Sequence, residues 1–218
     1  MKEDIQLKNE WIKHYGLTAL STSKYYKVIG CFIVGFEQIK TQGEIQPHFM
    51  IYPLWESNVK NCFITPLVLH CVEDSRGFRY QLPVLKILES TSTIFQDIDR
   101  FLDFDMRYDV HKADILKIVD YYISFEIRNP YVQINMIELK IIMATYLKDD
   151  LLFERTKDQM DEMYSKVGKE DFEYCADCKY DEWVKKQVSY YQNRQNVLDK
   201  INENIANSKI KERVELLP

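Results

Sequence analysis

Between residues 27 and 72 the chain alternates apolar runs with turn residues. Residues 28–36, 46–55 and 62–72 are short runs rich in β-branched and aromatic side chains. In 28–36 and 62–72, apolar residues at both odd and even positions predict strands covered on both faces. Gly30 and Gly35 interrupt the first run, as at a bulge or where another element packs close. Pro47 and Pro53 each remove a ladder donor. That places the second run at a sheet edge, or as a strand from His48 to about Tyr52. Asp74-Ser-Arg-Gly77 is a turn signal. After it, Phe78, Tyr80, Leu82 and Val84 alternate with Arg79 and Gln81, as in a half-exposed strand pairing back on residues 67–72 as a hairpin.

Helical spacing flanks this β region. Residues 2–15 predict an amphipathic helix with Ile5, Ile12 and Tyr15 on one face, Trp11 beside them and Gly16 as its stop. After about Leu88 the period changes. Thr93 with Gln96 resembles a capping box, opening a helix that carries Ile94, Ile98, Phe101 and Leu102. Asp109 or His111 opens the next, with Ile115, Val119, Tyr122, Ile123 and Glu126, ended by Asn129-Pro130. Residues 131–147 and 151–167 predict a helical hairpin broken at Lys148-Asp-Asp150, with one kinked helix as the alternative because no Gly or Pro marks the break, and Gly168 ends it. A last helix is expected from Trp183 to about Arg213, with polar final turns that fray. The fold class is therefore α+β: an N-terminal helix, an antiparallel or mixed sheet of about four strands, then an all-helical C-terminal half. Two regions follow, 1–88 and 89–218, with one continuous domain as the alternative.

The chain has 218 residues, enough for a core without disulfides or metal. A net charge of −5 argues against a non-specific nucleic-acid binder, which needs cations to displace phosphate counterions. It equally disfavours an anionic membrane surface. The first ten residues lack the apolar core of a signal peptide, and no apolar run is long enough for a membrane-spanning helix. The five cysteines are an odd number, and with no secretion signal they lead to an expectation of reduced thiols in the cytoplasm.

Three sets of residues could carry chemistry. Cys175-Ala-Asp-Cys178 has metal or redox spacing, but supplies two of the four ligands a structural zinc needs. Asp171, Glu173, Asp177 and Asp181 around it favour the thiol over the reactive thiolate. Cysteines on a helix surface, without metal, are the favoured reading. His48, His70 and Glu73 could build a hydrolase-type site at the sheet edge. Yet no metalloprotease, nucleophile-elbow, phosphate-loop or dinucleotide motif occurs, so histidines satisfied by backbone or water are favoured, and no cofactor is called for. The third set is acidic. Asp97, Asp99, Asp103 and Asp105 cluster after Leu88 without the glycine and terminal Glu of a calcium loop. Residues 148–182, including Asp158, Asp161 and Glu162, hold twelve carboxylates against six cations.

Charge runs are most often solvated faces. Their functional reading is an acidic docking surface that steers a basic protein. The expected function is thus a non-enzymatic, cytoplasmic protein-binding protein with a basic partner and neither nucleic acid nor membrane. In style it compares with a toxin-neutralising immunity protein, although no family motif carries that comparison. The alternative is the hydrolase-type enzyme around His48, His70 and Glu73.

Overall fold

The computed structural model describes residues 2–125 and 129–218. Glu126 lies outside them. The fold is α+β: an N-terminal helix, a mostly antiparallel sheet, then a helical C-terminal half.

Helix α1 (Lys2–Tyr15) has the expected length, but its buried face is Leu7, Trp11 and Tyr15, each four residues apart. Ile5 is 46% exposed. The large rings fix the rotation. Trp11 packs edge-on against Phe36 at 4.9 Å and Phe95 at 5.2 Å. Gly16, at φ +61°, ends the helix as expected.

The run 28–36 is not one strand. After the two-residue β1 (Thr18–Ala19), strand β2 (Lys24–Ile29) turns at Gly30 and Cys31 into β3 (Phe32–Thr41), with Val28 opposite Ile33. Gly30, at φ +52°, supplies the conformation a two-residue hairpin loop demands. β4 (Glu44–Pro53) then pairs along the whole of β3. It is an interior strand, since β5 (Val68–Cys71) and the two-residue β6 (Leu82–Pro83) flank its other side. Pro47 is tolerated because a neighbour takes over its ladder position, and Pro53 is the last residue of the strand. Val72 N donates to Pro47 O, and Val72 O accepts from Tyr80 N, the place a donor at residue 47 would have filled.

Residues 62–72 also depart from a continuous strand. Val59–Cys62 form a short helix, α2, capped by Asn58, whose side chain accepts from the N–H groups of Lys60 and Asn61. Only residues 68–71 join the sheet, so Cys62 and Cys71 are not strand-mates. The turn at residues 74–77 forms as expected, Asp74 accepting from the backbone of Arg76 and Phe78. Past it, residues 78–81 make one bridge, Glu73 to Arg79, rather than a hairpin strand.

Helix α3 (Val84–Leu102) runs unbroken through Thr93, which is mid-helix and caps nothing. The buried stripe Ile87, Thr91, Ile94, Ile98, Leu102 begins before residue 93 and outweighs the local capping signal. Leu88 and Glu89 both lie inside this helix. After the two-residue β7 (Val110–His111) comes α4 (Lys112–Phe125).

Helices α5 (Pro130–Leu147) and α6 (Asp150–Val167) form the expected hairpin. Asn129 caps α5, Lys148 closes it at φ +57°, and Asp149 caps α6. Then follow α7 (Lys169–Ala176), α8 (Tyr180–Gln192) and α9 (Arg194–Asn207), so the single last helix expected is two, broken at Asn193. Arg194 donates to the carbonyls of Thr145 and Tyr146, satisfying the end of α5. The tail does not fray. β8 (Arg213–Val214) pairs parallel to β2, and β9 (Leu216–Leu217) pairs with β7.

Candidate functional site

Cross-strand partners point to one face of a sheet, and successive residues to opposite faces. Phe49 lies opposite His70, while His48 lies opposite Cys71 and Glu37. His70 therefore shares the face of Phe36 and Phe49, against α1 and α3. His48 shares the other face with Glu37. The two imidazoles of the hydrolase-type set do not converge.

On the His48 side, Glu37 is buried and accepts from the hydroxyls of Tyr26 and Tyr52 and from Lys24 Nζ. Burial and this carboxylate both raise the Tyr26 hydroxyl far above its ordinary range, so Tyr26 stays a donor. His48 Nδ1 donates to Gln46 O at 3.1 Å, and burial lowers its pKa. These groups satisfy one another.

On the His70 side, β4, β5, the 72–75 loop, α3 and α4 enclose a cleft of about 260 Å³. His70 is 7% exposed and stacks on Phe101, with centroids 4.3 Å apart and planes 12° apart. Phe49 meets Phe101 edge-on, and Tyr121 stands edge-on to both His70 and Phe101. Burial pushes His70 down to about 4, helped by the nearby His48 and Arg79, so the ring is neutral at pH 7 and carries one acceptor nitrogen. Among the described residues no hydrogen bond reaches either ring nitrogen.

Three carboxylates line the cleft. Asp97, at its wall, is buried, accepting from Tyr80 Oη at 2.6 Å and Arg100 Nη1 at 2.8 Å. Asp74 is taken up by Arg76 and its own turn. Glu73 meets Arg79 Nε only at 3.7 Å. Glu73 and His70 thus belong to one cleft, and Asp97, expected on an acidic face, belongs there too. No sequence motif marks this cleft. Its signal was the alternation of His70 with Leu69 and Cys71, which assigns His70 a face once the strand register is known.

The other acidic positions are scattered and mostly partnered. Asp99 faces His14 at 3.4 Å, Asp103 is the C-cap of α3 and pairs with Lys117 at 2.8 Å, and Asp105 forks onto Arg107. On α6, Asp161 accepts from Tyr180 Oη at 2.6 Å, Glu162 pairs with Lys166, and Asp158 is exposed.

Beyond them stands α7. Phe172 is buried against Tyr164, Tyr180 and Trp183, which turns Tyr174 outward to 89% exposure. Glu170 and Asp171 are four and three positions before it, so helix geometry sets these exposed carboxylates on its side, and exposed Asp177 caps the helix three residues after it. Cys175 and Cys178 are half-buried. Burial and then Asp171 push the Cys175 thiol up, and burial pushes Cys178 up. Among the described residues no three of His, Cys, Asp and Glu gather as metal ligands.

No helix is long and apolar enough to cross a membrane among the described residues. Compared with models of protein families, with curated proteins and with solved structures, the chain matches none.

Proposed function

We propose that the protein is a non-enzymatic binder of a basic protein partner, and that it docks through the outer surface of α6, α7 and α8. The observation that carries this reading is Tyr174, 89% exposed on α7, with exposed Glu170 and Asp171 one turn before it and exposed Asp177 at the end of the helix. A rigid aromatic among carboxylates offers contact area together with attraction for lysine and arginine. The acids of α3 and of the loop after it support it less, because Arg100, Lys117 and Arg107 already offset Asp97, Asp103 and Asp105. The enzyme alternative lacks its convergent pair, since His48 and His70 occupy opposite faces of the sheet.

The test is capture of a partner from cell extract at 50 mM and at 500 mM salt. The wild type should recover a basic protein only at low salt, because screening weakens exposed attraction. Tyr174→Ala, and the combined Glu170→Lys, Asp171→Lys and Asp177→Lys, should each lose that protein. Recovery that ignores both salt and these substitutions removes the proposal.

A further inference from the structure

We propose that the cleft between β5, α3 and α4 binds a small aromatic amine: a flat ring bearing an N–H group, with a cationic arm. The site is separate from α7 and does not depend on the docking surface.

Its shape and chemistry point the same way. The floor is aromatic, formed by Phe49, Phe101 and Tyr121, so a planar ring gains contact there. His70 is more than nine-tenths buried, lines the cleft, and meets no hydrogen-bonding partner among the described residues. Its ring nitrogens are not sealed in the core but stay open to the cleft, where a ligand group can reach them. A neutral imidazole carries one accepting and one donating nitrogen, and beside three carboxylates a ligand N–H on the accepting one is the better match. The lining carries three carboxylates against one guanidinium, that of Arg100. Two of the three are engaged: Asp97 by Tyr80 and Arg100, and Asp74 by Arg76. Glu73 holds only a long pairing with Arg79, at 3.7 Å, and retains capacity for a cation. His70 lies on the strand and Glu73 three residues on, past its end, so ring and arm are read at separate points of the cleft. The volume of about 260 Å³ accepts a ligand the size of a substituted indole.

Three probes separate these contributions: tryptamine, with ring N–H and ammonium; phenethylamine, with the ammonium alone; and indole-3-propionate, with the ring N–H but an anionic arm. Binding is followed by amide chemical shifts of the full chain at pH 7. Tryptamine should bind saturably, with shifts concentrated at residues 70–75 and 97–101, and roughly tenfold more tightly than either other probe, the scale of one lost hydrogen bond or ion pair. His70→Phe keeps the stacked ring and removes the acceptor. It should weaken tryptamine about tenfold and leave phenethylamine unchanged. Glu73→Gln, near the cleft mouth and harmless to the core, should weaken both amines. The proposal is overturned if tryptamine fails to saturate, if indole-3-propionate binds as tightly, or if neither variant changes tryptamine affinity.

Discussion

His70 couples the cleft to acidity. The groups around it are His48 on the neighbouring strand, Arg79 and Glu73 beyond β5, Asp97 on α3 and Tyr121 on α4. Its pKa falls from the ordinary 6.5 to about 4 on folding, through burial first, then the nearby His48 and Arg79. The unfolded chain then takes up the proton first. The stabilisation is present above pH 6.5 and is lost as pH falls toward 4. Full loss is about 3 kcal/mol, since one unit corresponds to roughly 1.4 kcal/mol. His70→Phe removes the titration and keeps the ring. Between pH 7 and 4.5 the wild type should lose more melting temperature than this variant, and parallel declines would refute the coupling. Gly35 shows a second residue-level constraint. A Cβ there would run into Tyr25 O and come within 2.8 Å of Tyr26 Cα. Gly35→Ala should destabilise by about 1–3 kcal/mol in urea titration, the scale of overpacking. Gly35 was visible in the sequence as a close-approach glycine inside an apolar run. Which side chain approaches was not, because Tyr26 lies on a strand whose start the pattern placed too late.

At the scale of elements, long periodic segments were legible and short junctions were not. The α5–α6 hairpin was favoured over one kinked helix because Lys148-Asp149-Asp150 interrupts two apolar stripes, and the caps Lys148 and Asp149 settle it as two helices. The β2–β3 hairpin was hidden because Cys31 is apolar and Gly30 read as a bulge or close approach inside one strand rather than as a turn. A Gly-first two-residue loop between aromatic runs was the signal that could have disclosed it. Pro47 suggested an edge, and only the contact from Tyr80 to Val72 explains why it sits inside. The C-terminal tail was misread for a similar reason: short parallel pairings leave no periodicity. Ile210 and Leu216 are nonetheless buried, and Leu216 Cβ would stand 2.5 Å from a Cβ at Gly30. Deleting residues 209–218 should therefore cost stability, about 1.5–3 kcal/mol for each of these two side chains. Chemical unfolding of the shortened chain measures it, and an unchanged midpoint would mean that the tail only rests on the sheet.

Over the whole molecule, two hydrophobic clusters share one helix. The larger joins the sheet to α1, α3 and α4 and includes Met136, Leu139, Ile142 and Met143 of α5. The smaller joins α6, α7 and α8 and includes Ile134, Ile137, Ile141 and Ala144 of the same helix. Helix α5 is thus apolar all round because it faces a core on each side. Its one buried cation, Lys140, reaches outward to Asp120 at 3.1 Å and Gln159 at 3.4 Å, which lets a charge exist in that position. A helix held from both sides cannot leave one cluster without disturbing the other. Asn204 adds a second tie, donating from α9 to the carbonyls of Leu54 and Glu56 at the end of β4. The arm that carries Tyr174 is therefore expected to unfold with the sheet in one transition. Phe172→Ala opens a cavity in the smaller cluster and should cost about 3–5 kcal/mol. That loss should lower the midpoint seen by tyrosine and tryptophan signals from both clusters together. Trp11 reports the sheet side and Trp183 the arm, so single-tryptophan variants resolve them. Coincident curves would establish that α5 couples the clusters, whereas an early Trp183 transition beside an unmoved Trp11 transition would show the arm to be an independent unit.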